Sequence, residues 1–425
     1  MWTIVLCADW SKEAKKREVY CAWPAERRVA WLPPTATWTM ASVLAEARRH
    51  AVGSGGAALV GFDAPIGVPR SYWDVLVMRA RRAAESPLMS FVDWLAGPKT
   101  AEFYTLIHRP EDWRPEQPFY HVPERKGGKR DFEARMAEFG VQPLRHVDRP
   151  SRANSLFIAA GIPGSVGSAT IDIWRGLEGV LARRDPTVTV WPFEGSLGTL
   201  AQPGCAVVAE IYPRIGYGIA HAPGLGGCTR AMSVAKTGRG VRESFLDDVL
   251  AGGGWVRSLN VTVEDVEQAR ASEDAFDALV TALALLRLVL EGRDIGGGRF
   301  EDPVAEGGIL GAAAVDLESS GATYTEHGSA PPGRARFGSR MPSQQLTLTV
   351  AAGEPRPSPG RERHPETGVP HACPIPGCAH VFHDSRGGWD AHVATHGRHP
   401  GWHPETSDPE ERKRLFRVEF PEFFR

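Results

Sequence analysis

Short apolar runs open the chain and are broken by turn residues, a pattern that predicts strands ahead of the first helix. Residues 2–7, 18–23 and 28–32 form three such runs, which indicates a three-stranded meander. Apolar positions at helical spacing follow Thr39, so we expect a helix to begin there. The uninterrupted apolar run 57–62 is typical of a buried strand.

Two further strands are predicted after a long interruption. Residues from about 70 to 185 hold several amphipathic helical stretches rich in aromatic side chains, and we interpret them as a helical insertion. The runs 187–191 and 206–211 are strand-like, and the stretch 263–291 predicts one or two helices. Strands that alternate with helices in this way indicate an α/β fold, with helices packed on a mixed sheet.

The composition changes toward the C-terminus. From residue 296 to residue 370, 22 of 75 residues are Gly or Pro, which is typical of a flexible linker. We therefore expect three parts: a domain over residues 1–292, a Gly/Pro-rich linker over 293–370, and a compact module over 371–425.

Five acidic residues stand where a sheet protein brings side chains together. Asp9, Asp63 and Glu210 each end or directly follow a predicted strand. Asp274 and Asp277 are three residues apart and so share one face of the last predicted helix. Clustered carboxylates repel one another unless a cation neutralises them, and their oxygen atoms suit Mg²⁺ or Mn²⁺. The plain alternative stays open, because acids at strand ends are common turn residues and Asp274 could cap a helix.

Short motifs surround these acids and follow one another along residues 1–292. They are Ala8-Asp9-Trp10-Ser11, Gly61-Phe62-Asp63-Ala64-Pro65, Val190-Trp191-Pro192-Phe193-Glu194, Glu210-Ile211-Tyr212-Pro213 and Glu273-Asp274-Ala275-Phe276-Asp277-Ala278-Leu279. In this order the chain resembles the predicted nucleases of RNase H fold grouped as domain of unknown function 429. The resemblance implies an RNase H-like mixed sheet with flanking helices and a helical insertion. It says less about the substrate, because a fold does not fix a function.

The resemblance also implies roles for four of the acids. By similarity to nucleases of the RNase H and RuvC type, Asp9 would bridge two metal ions and Asp63 would be the ligand from the second strand. Asp277, together with Asp274, would hold the metal nearest the attacking water. The expected function is therefore a metal-dependent nuclease that hydrolyses phosphodiester bonds of DNA or RNA with two Mg²⁺ or Mn²⁺ ions, about 4 Å apart in such sites.

Three other polar residues in these motifs have two readings each. Glu210 could ligate a metal and act in catalysis, or it could only orient Tyr212 and Arg214. Ser11 could donate to a scissile phosphate, although capping a turn is the commoner role. Glu194 could likewise act in catalysis, although its Trp-Pro-Phe context suits a packed edge strand.

Basic residues are the candidates for holding a polyanionic substrate. Because 49 Lys and Arg face 51 Asp and Glu, the formal net charge is -2 and any polyanion site must be local. Two glycine-containing loops supply the candidates, which are Arg125, Lys126, Lys129, Arg130, Lys236 and Arg239. Such loops can contact a phosphate backbone without recognising its base sequence. Arg145 comes shortly after the first of the two loops. Trp113, Phe119 and Tyr120 could stack on unpaired bases; the plain reading is a solvated loop over an aromatic core.

The C-terminal module has the spacing of a small zinc finger. Its candidate ligands fit C-x4-C-x13-H-x3-H and are Cys373, Cys378, His392 and His396. Thiolate and imidazole ligands at such spacing make a closed tetrahedral Zn²⁺ site, and a segment this short needs its metal to fold. We predict a ββα unit similar to two-cysteine two-histidine fingers, followed by an aromatic segment, 410–425, that packs on a surface. The finger's helix offers little to a base edge, so a protein partner is as plausible as a nucleic acid.

The same patterns bear on location and on competing functions. No run of about 20 apolar residues is present to span a membrane, and no basic segment precedes the first apolar run as in a secretory signal. We expect a cytoplasmic protein with nucleic acid as its partner. The main alternative is a non-catalytic adaptor that binds nucleic acid or protein through this scaffold and the finger. A phosphotransferase of the related actin-like architecture ranks last, because Gly-rich phosphate loops are not apparent.

Overall fold

The computed structural model of the 425-residue chain divides into two compact units, Met1–Phe337 and Gly338–Arg425. Each unit has its own buried apolar residues. The structure describes the following residues: 2–34, 36–82, 88–123, 128–151, 153–162, 164–224, 229–251, 254–318, 323–325, 328–330, 371–373, 375, 381–382, 402–406 and 408–420.

The described ranges contain sixteen strands, most of them short. They are β1 (Trp2–Asp9), β2 (Glu18–Trp23), β3 (Arg28–Trp31), β4 (Ala57–Phe62), β5 (Tyr120–His121), β6 (Ile158–Ala160), β7 (Val188–Val190), β8 (Ala206–Glu210), β9 (Thr229–Arg230), β10 (Ser233–Val234), β11 (Thr262–Val263), β12 (Val315–Asp316), β13 (Thr323–Thr325), β14 (Gly328–Ala330), β15 (His371–Ala372) and β16 (Val381–Phe382).

The same ranges contain thirteen α-helices. They are α1 (Met40–Ser54), α2 (Arg70–Arg82), α3 (Phe91–Ala96), α4 (Gly128–Glu138), α5 (Asp148–Ser151), α6 (Gly167–Leu181), α7 (Leu197–Leu200), α8 (Pro213–His221), α9 (Arg239–Leu250), α10 (Trp255–Ser258), α11 (Val266–Ala271), α12 (Glu273–Leu290) and α13 (Pro409–Glu419). Among the helices described, none combines the length and the apolar character needed to cross a bilayer.

Seven strands form one mixed sheet in the order β11-β3-β2-β1-β4-β8-β7. β1, β2 and β3 form an antiparallel meander. β4, β8 and β7 continue the sheet from β1 in parallel, and β11 pairs in parallel with β3 at the other edge. The predicted meander and the predicted α/β class are confirmed, because the first unit is a large mixed sheet flanked by helices.

Side chains alternate between the two faces of this sheet, and each face has its own core. Leu6 and Ala8 of β1 belong to the core that includes α1 and the insertion helices α2, α3 and α6. Val5 and Cys7 belong to the opposite core, with α8, α9 and α12. The first unit therefore has three layers, and α2 to α6, with the short strands β5 and β6 among them, occupy the stretch that was predicted to be helical.

α1 begins where its sequence predicts, and α12 packs at the centre of the first unit. Thr39 caps α1: its hydroxyl accepts from Ser42 N at 3.1 Å, and Ser42 Oγ accepts from Thr39 N at 2.9 Å. α12 is buried along most of its length and packs across β1, β2 and α8. Its approach to α8 requires Gly216, because a Cβ there would lie 3.0 Å from Thr281 Oγ1.

The predicted domain boundary at residue 292 is wrong. Residues 294–317 continue the first unit and bury several apolar side chains in the core around α12, among them Ile295, Phe300, Ile309 and Leu310. Burial of each such side chain contributes about 1.5 to 3 kcal/mol. In this segment a Gly-rich composition therefore belongs to packed irregular structure and not to a flexible linker. Most of the remaining predicted linker, residues 331–370, lies outside the described residues.

Close backbone contacts explain why glycine is needed in this segment. Gly307 has a φ of +79°, and a Cβ on it would lie 2.2 Å from Ile66 O. The neighbouring Glu306 carboxylate accepts from Arg70 N at 2.9 Å and from His146 N at 2.6 Å. The segment therefore fastens the helical insertion to the loop that follows β4.

The second unit contains a small core of its own. β15 and β16 pair antiparallel, with His371 opposite Phe382. α13 buries Phe416 in a cluster with Cys373 and Trp402, so part of the aromatic segment packs as expected. Arg412 is fully buried in this unit and donates to Trp402 O at 3.0 Å.

The zinc-finger prediction falls mostly outside the described residues. Cys373 is buried at the end of β15, whereas Cys378, His392 and His396 are not among the residues described. The antiparallel pair β15 and β16 lies where the finger's hairpin is predicted. The zinc site itself stays a prediction.

A chain that stops after Gly292 should fail to fold into a stable first unit, because it exposes the core face that Ile309 and Leu310 cover. The lost burial, about 1.5 to 3 kcal/mol per large apolar side chain, is comparable with the whole stability of a domain, about 5 to 15 kcal/mol. A chain that stops after Phe337 should keep a cooperative thermal transition. Circular dichroism melts of both truncations and of the full chain measure the difference; equal melting temperatures for the two truncations would contradict the assignment.

Candidate active site

Asp9 and Asp63 lie side by side at the carboxyl ends of two parallel strands. Ala8 of β1 is in register with Phe62 of β4, and Asp63 N donates to Ala8 O at 3.0 Å. Because side chains alternate along a strand, Asp9 follows Val5 and Cys7 onto the sheet face that α12 covers. Both carboxylates therefore point toward the start of α12.

α12 brings the other two aspartates to the same place. Ser272 is its N-cap and accepts from Ala275 N at 3.2 Å, so Asp274 lies in the first turn and Asp277 just beyond it. The capping role that the sequence left open for Asp274 thus belongs to Ser272. Asp274 is within hydrogen-bonding reach of Asp9, and its negative charge helps to raise the pKa of Asp9.

A lysine ammonium lies against one of these carboxylates. Lys236 Nζ, from the loop between β10 and α9, donates to Asp277 Oδ2. Tyr217 Oη, from α8, donates to Asp277 Oδ1. The Asp277 side chain is 3% exposed and the Lys236 side chain 31%, so the ion pair is reached by solvent from the lysine side.

The electrostatics of this aspartate cluster, Asp9, Asp63, Asp274 and Asp277, are those of crowded acids. Burial, together with the negative charges of Asp277 and Asp63, raises the pKa of Asp9 well above its ordinary value. Burial and the neighbouring charge of Asp277 raise the pKa of Asp63 to about 8. Burial opposes the charge on Lys236, but the Asp277 and Asp9 carboxylates outweigh it and raise the pKa of the lysine. The cluster is short of positive charge and favours a cation.

The donor chemistry of the cluster fits a hard divalent cation, because carboxylate oxygens are the ligands that Mg²⁺ and Mn²⁺ prefer. Within the described ranges, however, no three His, Cys, Asp or Glu side chains are arranged as a metal site. The positive charge that the structure does place against the carboxylates is the Lys236 ammonium. Asp9, Asp63 and Asp274 are the acids that remain for an added cation.

Glu210 does not join the aspartate cluster. It is in register with Phe62 across β4 and β8, so its side chain points to the face opposite Asp9 and Asp63. There the Glu210 carboxylate accepts from Arg145 Nη1 at 2.6 Å, from Arg145 Nη2 at 2.7 Å and from Ile66 N at 2.8 Å. This bidentate pair replaces both roles considered from the sequence, metal ligation and the orienting of Tyr212 and Arg214.

Arg145 is the centre of a buried network. Its side chain is 1% exposed, and it also donates to Asp148 Oδ1 at 2.9 Å, to Asp148 Oδ2 at 3.0 Å and to Glu306 O at 3.1 Å. Burial works against the guanidinium charge, but Asp148 and Glu210 outweigh it and raise the pKa of Arg145 well above its ordinary value. Arg145 therefore joins the insertion to the sheet. Its position after the basic loop suggested that it holds a substrate, but it is not available for that role.

Ser11 and Glu194 both make local backbone contacts. Ser11 Oγ accepts from Glu13 N at 3.1 Å, so the turn-capping role is confirmed. Glu194 Oε2 accepts from Val190 N at 2.6 Å at the edge strand β7, which confirms the edge-strand reading.

The predicted basic loops are only partly described. Arg125 and Lys126 lie outside the described residues. Lys129 donates to Asn154 Oδ1 at 3.1 Å and Arg130 is exposed. Trp113, Phe119 and Tyr120 are fully buried, so the prediction that they stack on bases is wrong and the aromatic-core reading is confirmed. In the second loop, Arg239 is exposed and donates to Glu243 at 2.7 Å.

Sequence reasoning missed one residue that shapes the site and gave two others the wrong partner. Tyr217 reaches Asp277 only through tertiary packing, and the sequence carries no local signal for it. Lys236 and Arg145 were singled out, but for a phosphate rather than for Asp277 and Glu210. A signal for Glu210 did exist: the two-residue alternation along 206–210 sets its face once the pairing with β4 is known.

No model of a known protein family matches this chain, and no curated protein or solved structure matches it either.

Arg145→Met should destabilise the protein by about 3 to 5 kcal/mol, because it leaves the Glu210 and Asp148 carboxylates buried without their partner. Urea denaturation followed by tryptophan fluorescence measures the loss. Arg109→Met is the matched control: Arg109 forms an equally well aligned pair with Asp112 at 2.8 and 2.9 Å, but on the surface. It should cost much less than Arg145→Met, because exposed ion pairs contribute little to stability, and equal losses for the two variants would contradict the structural role.

Asp63→Asn should stabilise the cation-free protein. The pKa of Asp63 lies at about 8 in the folded state against an ordinary value of 3.8. Between these two pH values the folded state therefore binds more protons than the unfolded state. The contribution of Asp63 to stability falls as the pH rises through this range. The substitution removes this loss and should raise the free energy of unfolding near pH 8 by about 1 to 2 kcal/mol.

Urea denaturation in EDTA, near pH 5 and near pH 8, measures this change. Asp185→Asn is the control, because the Asp185 carboxylate accepts from Thr187 and pairs with Arg48, and these contacts lower its pKa. That variant should not gain stability near pH 8. A loss of stability in Asp63→Asn at both pH values would show that its charge is needed to hold Lys236.

Proposed function

We propose that this chain is a metal-dependent phosphodiesterase acting on nucleic acid, that is, a nuclease. One observation carries the proposal. Carboxylates from three separate segments, Asp9, Asp63 and Asp274 with Asp277, converge at the carboxyl edge of the sheet with pKa values raised by burial and by one another. Crowded acids of this kind are unfavourable for stability, and a divalent cation is the usual reason to keep them.

The described residues would have different roles at such a site. Asp9, Asp63 and Asp274 would hold the cation, since these three carboxylates lie close together and are each partly exposed. A bound Mg²⁺ or Mn²⁺ supplies a water of lowered pKa and offsets the charge of the scissile phosphate. Asp277 and Tyr217 hold Lys236 beside it.

Exposed cations near the cluster support a polyanionic substrate. Lys16 is close enough to Asp274 to lower its pKa, and it is largely exposed beside Glu13. Arg239 is exposed three residues from Lys236. Lys and Arg at the rim of an acidic site can guide a phosphate backbone toward the bound cation. Lys129 and Arg130 of the insertion are further candidates for the same role.

The C-terminal module supports a second, structural part of the proposal. Cys373, Cys378, His392 and His396 would bind one Zn²⁺ and let the module fold, and the antiparallel pair β15 and β16 agrees with the hairpin of a finger. The module would then add weak nucleic-acid affinity or hold a protein partner.

The full chain should cleave labelled nucleic acid when Mg²⁺ or Mn²⁺ is present and should stop when EDTA is added. Asp9→Asn and Asp274→Asn should each lower the cleavage rate by more than about 100-fold, since even residues behind a metal ligand cost about 10- to 100-fold when changed. A panel of single- and double-stranded DNA and RNA and branched substrates, resolved on gels, measures the rate and defines the substrate.

Asp185→Asn is the matched control for this experiment. Asp185 precedes β7 and so lies near the amino ends of the parallel strands, whereas the cluster lies at their carboxyl ends. Its substitution should leave cleavage unchanged. Cleavage that survives in Asp9→Asn would argue against the site. Binding of nucleic acid without cleavage under any metal condition would favour the adaptor instead.

A further inference from the structure

The acids of the cluster are not equivalent, because one of them is already fully engaged. Asp277 accepts from Tyr217 at one carboxylate oxygen and from Lys236 at the other, and its side chain is nearly inaccessible to solvent. Asp9, Asp63 and Asp274 are each partly exposed. Asp277 is thus arranged to hold the lysine, while the other three face the open side.

The loop that carries Lys236 is fixed on both sides. Arg242 is 4% exposed and donates to Lys236 O at 2.5 Å and to Arg270 O of α11 at 2.9 and 3.1 Å. Ala235 N donates to Tyr324 O of β13 at 3.1 Å. Arg242 thus ties the backbone of Lys236 to α11, which precedes α12, and the bond to Tyr324 ties the same loop to β13. The ammonium is therefore held in place rather than resting there as a mobile surface charge.

The charges in the cluster limit how many cations it can take. Four carboxylates beside one ammonium leave a formal deficit of three charges, which one divalent ion reduces to a single negative charge. A second divalent ion would make the site positive and would stand against the Lys236 ammonium, where like charges repel strongly at low dielectric. Without the lysine, two divalent ions would neutralise the four carboxylates.

We propose that the Lys236 ammonium, held by Asp277, fills the position of one cation, so that the cluster binds a single divalent ion through Asp9, Asp63 and Asp274. This inference rests on the proposed metal-dependent function and replaces the two-ion arrangement implied by the resemblance. Lys236 becomes a positioning residue that neutralises the site on the side of α12. Arg239, three residues away, has no part in it because it pairs with Glu243.

The number of Mn²⁺ ions bound tests this directly and does not require activity. The full chain, first saturated with Zn²⁺ to satisfy the C-terminal module, is titrated with MnCl₂ by calorimetry, and free Mn²⁺ is counted by electron paramagnetic resonance. The wild type and Lys236→Arg should each bind one ion, and Lys236→Met should bind two. Arg239→Met is the matched control, since it removes a cation from the same loop, and it should still bind one.

Two further variants decide the case if Lys236→Met does not fold. Asp277→Asn should still bind one ion, because Asp277 holds the lysine and is not a ligand, whereas Asp9→Asn should bind none. Two ions in the wild type, one ion in a folded Lys236→Met, or loss of the ion in Asp277→Asn would each overturn the inference while leaving a metal site in place. No Mn²⁺ bound to any variant would overturn the proposed function itself and the inference with it.

Discussion

The alternation of side chains across the central sheet is the constraint on which the site depends. Asp9 and Asp63 fall on the face covered by α12, and Glu210, in register with Phe62, falls on the other. The carboxyl ends of these strands thus carry acids in two different environments. On one face a buried guanidinium neutralises the acid within the fold, and on the other the acids crowd together around a lysine that solvent can reach.

Local patterns were sufficient to predict the parts of this arrangement that depend on them. The meander, β4, α1 and α12 follow from apolar periodicity and from caps such as Thr39, and the aspartates at their ends meet as expected. α8 could not be predicted in this way, because Gly216 and Gly218 weaken a helix in isolation. Those glycines are required by close approach to Thr281 and to Arg230 O, a tertiary cause that leaves no local signal.

Composition misled where it was the only signal. Gly and Pro are frequent in residues 294–317 because the segment bends tightly and passes close to other backbone, as Gly307 does beside Ile66 O. The same two residues are frequent in flexible linkers for the opposite reason, since they resist regular structure. Only the apolar side chains between the glycines, such as Ile309 and Leu310, separate the two cases, and they become informative once a core is available to receive them.

The type of cationic side chain on each face of the sheet agrees with the role that we assign to it. Arg145 offers a planar set of donors that binds Glu210 and Asp148 at once, and such a pair is hard to break because either partner alone would be buried and charged. Lys236 is a compact charge on a flexible stem, and it makes one contact with Asp277 while its field reaches Asp9 and Asp63. A guanidinium in that place would carry the same charge, but its donors would be spread over a wider plane. An ammonium neutralises part of the charge and leaves the open side of the cluster free, which is what the proposed binding of a cation and a phosphate requires.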